Sequence, residues 1–452
     1  MLIPEAMRRA EKTIFENKIP GSVQRFFFRL FTAFAFFSAL NLPAQTDTAQ
    51  EQTMTSNFSL NLPMNRDGSG TSWQPDQSPM LMYMKMYSKT SIMFHGAVFL
   101  RYTSQDATHQ SDRGAEKFDA PNWMMFMLAH KMSEKDLFSF QSMFSLDRLT
   151  EGGSGYPLLF QSGETYNGIP IVDRQHPHDL FAELAVNYTH SFSKDLDVNT
   201  YFGYPGEPAL GPVVFMHRLS AMNDPDASLG HHWQDATHIT FGVATIGLRY
   251  KMIKAEGSIF TGREPDENRF NFDKPLFDSY SYRISLNPDR FFSIQFSQGF
   301  IHSPEALEPA INVKRTTASV IHTKLLKHGK FISSSLIWGM NHNSDGRNLN
   351  SVLVESNLKL APLSVYVRYE FIQKDANELQ LLQFTNDPVF NVSAFTLGVN
   401  RILFTHYKTD LSLGVQGTVH YPDPLLKPVY GSRPLAAEIY LKLAPTSGHH
   451  HH

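Results

Sequence analysis

From about residue 90 to the C-terminal end, the connections between runs of alternating apolar and polar residues are short and long by turns. The short ones are Ser133-Glu134-Lys135, Ser193-Lys194, the step at Tyr250-Lys251, Asn287-Pro288-Asp289, Lys327-His328-Gly329, Ala361-Pro362 and His406-Tyr407. Between each successive pair lies one long, polar connection rich in Gly, Pro and Asp. A soluble sandwich has no reason to keep all its long loops on one side. A bacterial barrel does, with short periplasmic turns and long outer loops. The pattern predicts an all-β fold, a transmembrane antiparallel β-barrel, and it predicts the orientation as well.

The strands support this reading. Leu363, Val365, Val367, Tyr369 and Phe371 form one face, and Ser364, Tyr366, Arg368 and Glu370 the other. The runs 279–286, 292–297, 411–420 and 435–443 alternate in the same way. Weaker strands are expected near 91–104, 120–132, 136–147, 178–191, 195–204, 237–249, 252–262, 315–325, 330–340, 350–360 and 393–405. The total is about sixteen, the even number a single-chain barrel requires, and it places both ends of the barrel in the periplasm. The expected lumen face carries Arg101, Lys254, Glu256, Arg283, Glu355, Lys359, Arg368, Glu370, Glu438 and Lys442, a mixture of signs. A barrel of this size encloses water unless loops or an N-terminal segment fill it, and the mixed wall gives no strong ion selectivity.

Among 452 residues the formal net charge is −3, with 40 basic and 43 acidic side chains, so no electrostatic footprint for nucleic acid is present. There is no cysteine. Disulfides, thiolate metal sites, cysteine nucleophiles and a lipidated N-terminal cysteine are excluded, and any metal site uses His, Met or carboxylate.

Arg25 and Arg29 precede an apolar run from Leu30 to Leu40 that ends at Leu42-Pro43-Ala44-Gln45, the pattern of a secretory signal peptide over 1–44. Met7 is an alternative start. A buried helix is the competing reading of this run. Residues 45–89 then form a periplasmic Met-rich segment or plug, 90–445 the barrel, and 446–452 a tail whose four terminal histidines read as part of an expression tag. Those four are left out of every metal argument.

Several outer connections hold more than a turn needs. Gly152 to Asp179 ends in Asp173-Arg174-Gln175-His176-Pro177-His178-Asp179. Residues i and i+2 of an extended chain face one way, so His176 and His178 can reach one ion, with Asp173 or Asp179 as an oxygen ligand. The competing reading is that these histidines pack within a folded-in loop. The connection from Gly206 through Met216-His217-Arg218 to His231-His232-Trp233-Gln234-Asp235 is too long for a turn, and its aromatic content predicts an ordered cap or plug. His217, His231 and His232 are further candidate ligands, and His238 begins the next expected strand. In Thr261 to Glu267, Arg263 and nearby Arg269 beside the acids read as a salt-bridge network, or alternatively as calcium ligation by Asp266 and Glu267. The connections Ser303 to Arg315 and Asn341 to Asn350 carry no specific motif.

Met80, Met82, Met84 and Met86 alternate just before the first strand, with Met93, Met124, Met125, Met127, Met132 and Met143 following. In an extended chain the first four form a one-sided thioether row, a donor set suited to Cu(I), or else they fill irregular packing positions.

At its loops the chain resembles a family of uncharacterised bacterial outer-membrane proteins of Bacteroidetes type. The resemblance rests on Asp173 to Asp179, on Gly206-Glu207-Pro208-Ala209-Leu210-Gly211-Pro212 with Phe215-Met216-His217-Arg218, on Thr237 to Gly242 and on Gly262-Arg263-Glu264-Pro265-Asp266-Glu267. It covers roughly residues 90 to 325. It implies an association with metal resistance and carries no catalytic residue with it.

The expected function is therefore a porin-like channel or a small-ligand or metal-ion binding barrel, with ordered loops restricting the lumen. Its expected partners are outer-membrane lipid and a small solute or a metal ion, divalent or copper. A barrel-embedded hydrolase and a structural or adhesion barrel are the alternatives. Ser154, Ser162 and Ser220 have no spacing that marks a nucleophile with its base.

Overall fold

In a computed structural model, residues 55–446 are described. The expected signal peptide, the first residues of the expected periplasmic segment and the chain from 447 onward lie outside the described residues.

The strands β1 (Thr90–Ser104), β2 (Asn122–Lys131), β3 (Asp136–Phe144), β4 (Phe181–Ser193), β5 (Leu196–Gly203) and β6 (Val243–Tyr250) open the wall. They are followed by β7 (Ile253–Phe260), β8 (Ser279–Leu286), β9 (Phe292–Ile301), β10 (Val313–Leu325) and β11 (Phe331–Asn343). The wall is completed by β12 (Asn348–Lys359), β13 (Leu363–Asp375), β14 (Val389–His406), β15 (Thr409–Tyr421) and β16 (Leu435–Pro445). Each pairs antiparallel with its neighbour, and β16 closes on β1 with Leu441 opposite Leu100. The result is a closed sixteen-stranded antiparallel barrel. Two short strands, Tyr83–Tyr87 and Glu116–Asp119, pair alongside β1.

Every expected short turn falls where the sequence placed it. Tyr250 pairs with Ile253 across one of them, and His406 with Thr409 across another. Two boundaries differ from expectation. The strand expected from 237 begins only at Val243, because Ala236–His238 forms a 3-10 turn and Gly206 bridges to Thr240, which keeps this stretch in the preceding loop. The connection expected from Asn341 to Asn350 is a tight hairpin, because β11 and β12 pair out to His342 and Asn348.

Alternation sorts the wall into two faces. Ile246, Leu248, Ile259, Tyr280, Ile284, Leu397, Val415 and Ile439 are exposed and form an apolar belt. All ten charged residues expected in the lumen are buried. They are buried because the lumen is filled by chain.

Two segments fill it. Residues 55–78 lie against the inner faces of β3–β5 and β7–β10. Asn57 O accepts from Asn187 Nδ2 (3.0 Å), Ser59 donates to Asp197, Thr71 O accepts from Lys254, and Trp73 O accepts from Ser293 Oγ (3.0 Å). The second segment is the 204–242 connection. Ala209 N donates to Ser258 Oγ (2.8 Å), Gly211 N to Ser297 Oγ (2.9 Å), and Asn223 O accepts from Tyr440. Asn341 Nδ2 donates to His232 O (3.1 Å). The wall makes room for it at Gly339, where a β-carbon would come within 2.2 Å of Trp233 O. Over this plug the hairpin Tyr156–Tyr166 and Ile169–Gln175 buries Leu158, Leu159 and Phe160 with Leu229, Trp233, Ile372, Leu379, Val392 and Tyr430. Each such side chain contributes about 1.5–3 kcal/mol to holding the mouth covered.

Candidate functional site

The inserted loop is fastened by charge. Arg218 Nε meets Glu355 at 2.7 Å and its Nη1 meets Asp235 at 2.7 Å. Arg101 holds Asp119 (2.9 Å) and Asp226 (2.6 Å), and Arg368 holds Asp224 (3.1 Å) and Glu355 (3.2 Å). Leu229 N donates to Glu370 (2.6 Å), and Lys442 donates to Met222 O. The mixed wall charges thus have their counter-charges and carbonyls inside the barrel.

The candidate histidines lie within this fabric. Ring centroids link His176 to His178 at 6.5 Å, His176 to His232 at 5.9 Å and His231 to His232 at 5.4 Å. His238 joins them, 5.1 Å from His231 and 5.5 Å from His178. The other expected ligands are elsewhere engaged. Asp173 accepts from Phe160 N (2.7 Å) and is ion-paired with Arg113 (2.9 Å), and Asp179 is paired with Arg269 (3.2 Å). His217 lies apart, its ring tilted against Trp123 (4.6 Å) and His95 (5.4 Å).

His176 and His178 each take their own partner. His178 Nδ1 lies 2.6 Å from Asp147, whereas His176 Nε2 lies 3.5 Å from Glu164. His231 and His232 part company because they sit in one helical turn: His231 reaches Asp235 (2.5 Å), four residues on, and His232 faces Glu264 (3.6 Å). Among the described residues no group of three or more His, Asp or Glu side chains is arranged to hold a metal ion as it stands.

Burial sets the protonation of these loop groups. It pushes His232 down to about 3 and His176 well below the usual imidazole range, where the Arg269 charge adds to the effect. Burial likewise lifts Glu164 and Asp179 to about 7, against the pull of Arg269, and lifts Asp173 to about 6 against Arg113. Burial thus favours the neutral form of His176 and His232, the form that ligates a metal.

Glu164, Glu264, Asp147 and Asp235 were not singled out by spacing. Asp235 stands four residues after His231 and Glu264 lies within the Gly262–Glu267 motif, so both had a local signal. Glu164 and Asp147 meet the histidines only through the fold. Arg269 holds Glu164 (2.9 Å) and Asp179 (3.2 Å) of the preceding connection together, whereas Arg263 bonds Ser303 and Glu267 bonds Thr165, so these arginines do not pair with the acids of their own loop. Ser162 accepts from Lys374 (2.7 Å), and Ser220 bonds Glu355 (2.8 Å) and Ser335 (2.7 Å).

A cavity of about 160 Å³ lies between plug and wall. It is lined by His95, His178, His217, Trp123 and Phe215, and by Met64, Met80, Met82, Met125, Met127 and Met216. The Met80–Met86 row divides, since Met80, Met82 and Met84 pack on a buried methionine cluster and Met86 is exposed.

No protein-family model matches this chain, and no curated protein matches it. Solved barrels do. An anion-selective porin from Comamonas acidovorans is 10% identical with a TM-score of 0.45, covering 79% of this chain and 99% of the porin. OmpF of Salmonella typhi, in complex with daunomycin, is 6% identical with a TM-score of 0.48, covering 80% and 100%. The outer membrane channel DcaP of Acinetobacter baumannii is 8% identical with a TM-score of 0.42, covering 80% of this chain and 99% of that channel. The closed barrel stands on its own strand order, independently of these likenesses.

Proposed function

We propose that this chain is a bacterial outer-membrane barrel of porin type that its own interior holds shut, and that it binds a small solute or a soft metal ion behind the plug. The observation that carries the closed state is the set of ion pairs and hydrogen bonds from residues 209–234 to the inner wall, above all Arg218–Glu355, Arg101–Asp226 and Arg368–Asp224. The apolar belt supports membrane placement, since outward residues of such barrels face lipid. The plug restricts the lumen, so transport through it requires that the loop move.

The choice of ligand rests on the cavity. Thioethers and neutral imidazoles are soft or borderline donors and favour Cu(I) over hard cations. Met64, Met80, Met82 and Met216 line one chamber with His95 and His217, and His95 Nε2 is buried there with no partner. Silver(I), a redox-inert probe of the same softness, tests this in protein lacking residues 449–452. One tightly held silver that is lost in a Met80→Leu/His217→Gln variant is the expected result. Equal silver in both proteins rejects the chamber as the binding place.

A further inference from the structure

At the outer mouth, a different donor set converges. Glu164 Oε1 and His176 Nε2 are 3.5 Å apart, and Glu264 Oε1 and His232 Nδ1 are 3.6 Å apart. Glu164 and Glu264 line one cavity, and the ring centroids of His176 and His232 are 5.9 Å apart. Ligands held at about 2.0–2.2 Å in a tetrahedral zinc site stand about 3.3–3.6 Å from one another. Each of these carboxylate–imidazole pairs therefore has the spacing of one edge of a coordination shell.

Two further observations point to a ligand. His232 Nδ1 and Glu264 Oε2 are buried with no hydrogen-bond partner, on side chains 6% and 13% exposed. Arg269 grips the other oxygen of Glu164 at 2.9 Å, an outer contact of the kind that fixes a ligating carboxylate. The site is reachable, because a cavity of about 520 Å³ adjoins Glu164 and Glu264 and is rimmed by Glu305, Glu308 and Glu378. Such a vestibule concentrates cations at its floor.

We propose that Glu164, His176, His232 and Glu264 form a site for one divalent cation of zinc type at the outer mouth. The ion draws the two rings, whose centroids are 5.9 Å apart, toward a common point. The inference goes beyond the soft-ion reading and uses none of the methionines.

The test uses the full chain without residues 449–452, equilibrated with zinc and freed of excess by gel filtration. One zinc per chain is expected. Glu264→Gln and His232→Gln, each near-isosteric, should weaken retention at least tenfold, with heat-modifiable migration confirming that the barrel is folded. If Glu264→Gln fails that check, Glu164→Gln replaces it. X-ray absorption of the zinc-loaded protein should show nitrogen and oxygen at about 2.0–2.2 Å. No zinc on the wild type, or equal zinc on folded variants, overturns the site. Sulfur in the shell also overturns it, by assigning the ion to the methionine chamber, and leaves the soft-ion reading standing.

Discussion

The two segments that fill the lumen are held in different ways. Residues 204–242 are tied to β1, β12 and β13 through buried guanidinium–carboxylate pairs, whose partners are 9% exposed or less. Residues 55–78 are tied to the opposite arc chiefly by single hydrogen bonds to Ser139, Asn187, Asp197, Arg283 and Ser293. Their own strong ion pair, Arg66–Asp76, is internal to the segment. A buried pair is costly to break from one side, because the charge left behind has neither water nor partner. A hydrogen bond is worth about 1 kcal/mol between neutral groups and about 1.5–3 kcal/mol to a charged one. The loop is accordingly the fixed part of the plug and the N-terminal segment the releasable part.

The sharpest way to break that contrast is Arg218→Met, which leaves Glu355 and Asp235 without their shared guanidinium. Its expected cost is about 3–5 kcal/mol, measured as a lowered thermal transition of the detergent-solubilised barrel. A change below about 1 kcal/mol would make the loop no better fastened than the N-terminal segment. Next in size is Gly339→Val, which suits a strand yet drives a side chain into Trp233 O. The wall should persist while the 231–234 turn is displaced, read as faster proteolysis of the loop in folded barrels.

A smaller effect is expected from pH. Glu207 lies in the inserted loop against Gly70 of the N-terminal segment, and burial lifts it from 4.5 to about 8 despite the nearby Arg283 charge. Its folded pKa is raised, so its contribution to docking is fully present below about 4.5 and is lost as pH rises through about 8. Protection of residues 66–74 against hydrogen exchange, measured relative to the intrinsic rate at each pH, should fall as pH rises from about 4.5 to about 8 and then level off, and Glu207→Gln should abolish that fall. The smallest change is Ser59→Ala, which removes one donor to Asp197 while Arg249 still holds that carboxylate at 2.6 Å. Its expected cost is about 1 kcal/mol, with local exchange confined to residues near 59.

The wall was legible because a barrel strand writes its two environments into alternate residues, as in Ser364 to Phe371, and because turn and loop lengths differ between its ends. What fills the wall was only half legible. The length and aromatic content of Gly206–Asp235 marked an ordered loop, yet nothing local says that Arg218 will meet Glu355, 137 residues away. The strand expected from 237 shows the same limit: Thr237-His238-Ile239 has strand-like residues, but tertiary contacts hold it as part of the plug. The i, i+2 argument for His176 and His178 assumed a common target, whereas Glu164 and Asp147, contributed by distant segments, give each ring its own.

Single-channel conductance in planar bilayers tests the closed-barrel claim most directly, comparing the intact protein with one in which Ala209–Gln234 is replaced by a short Gly/Ser link. The intact barrel should be silent or show rare openings, and the excised one should conduct steadily through the part of the lumen the loop vacates. Steady conductance in the intact protein, or equal conductance in both, would contradict a lumen held shut by its own loop.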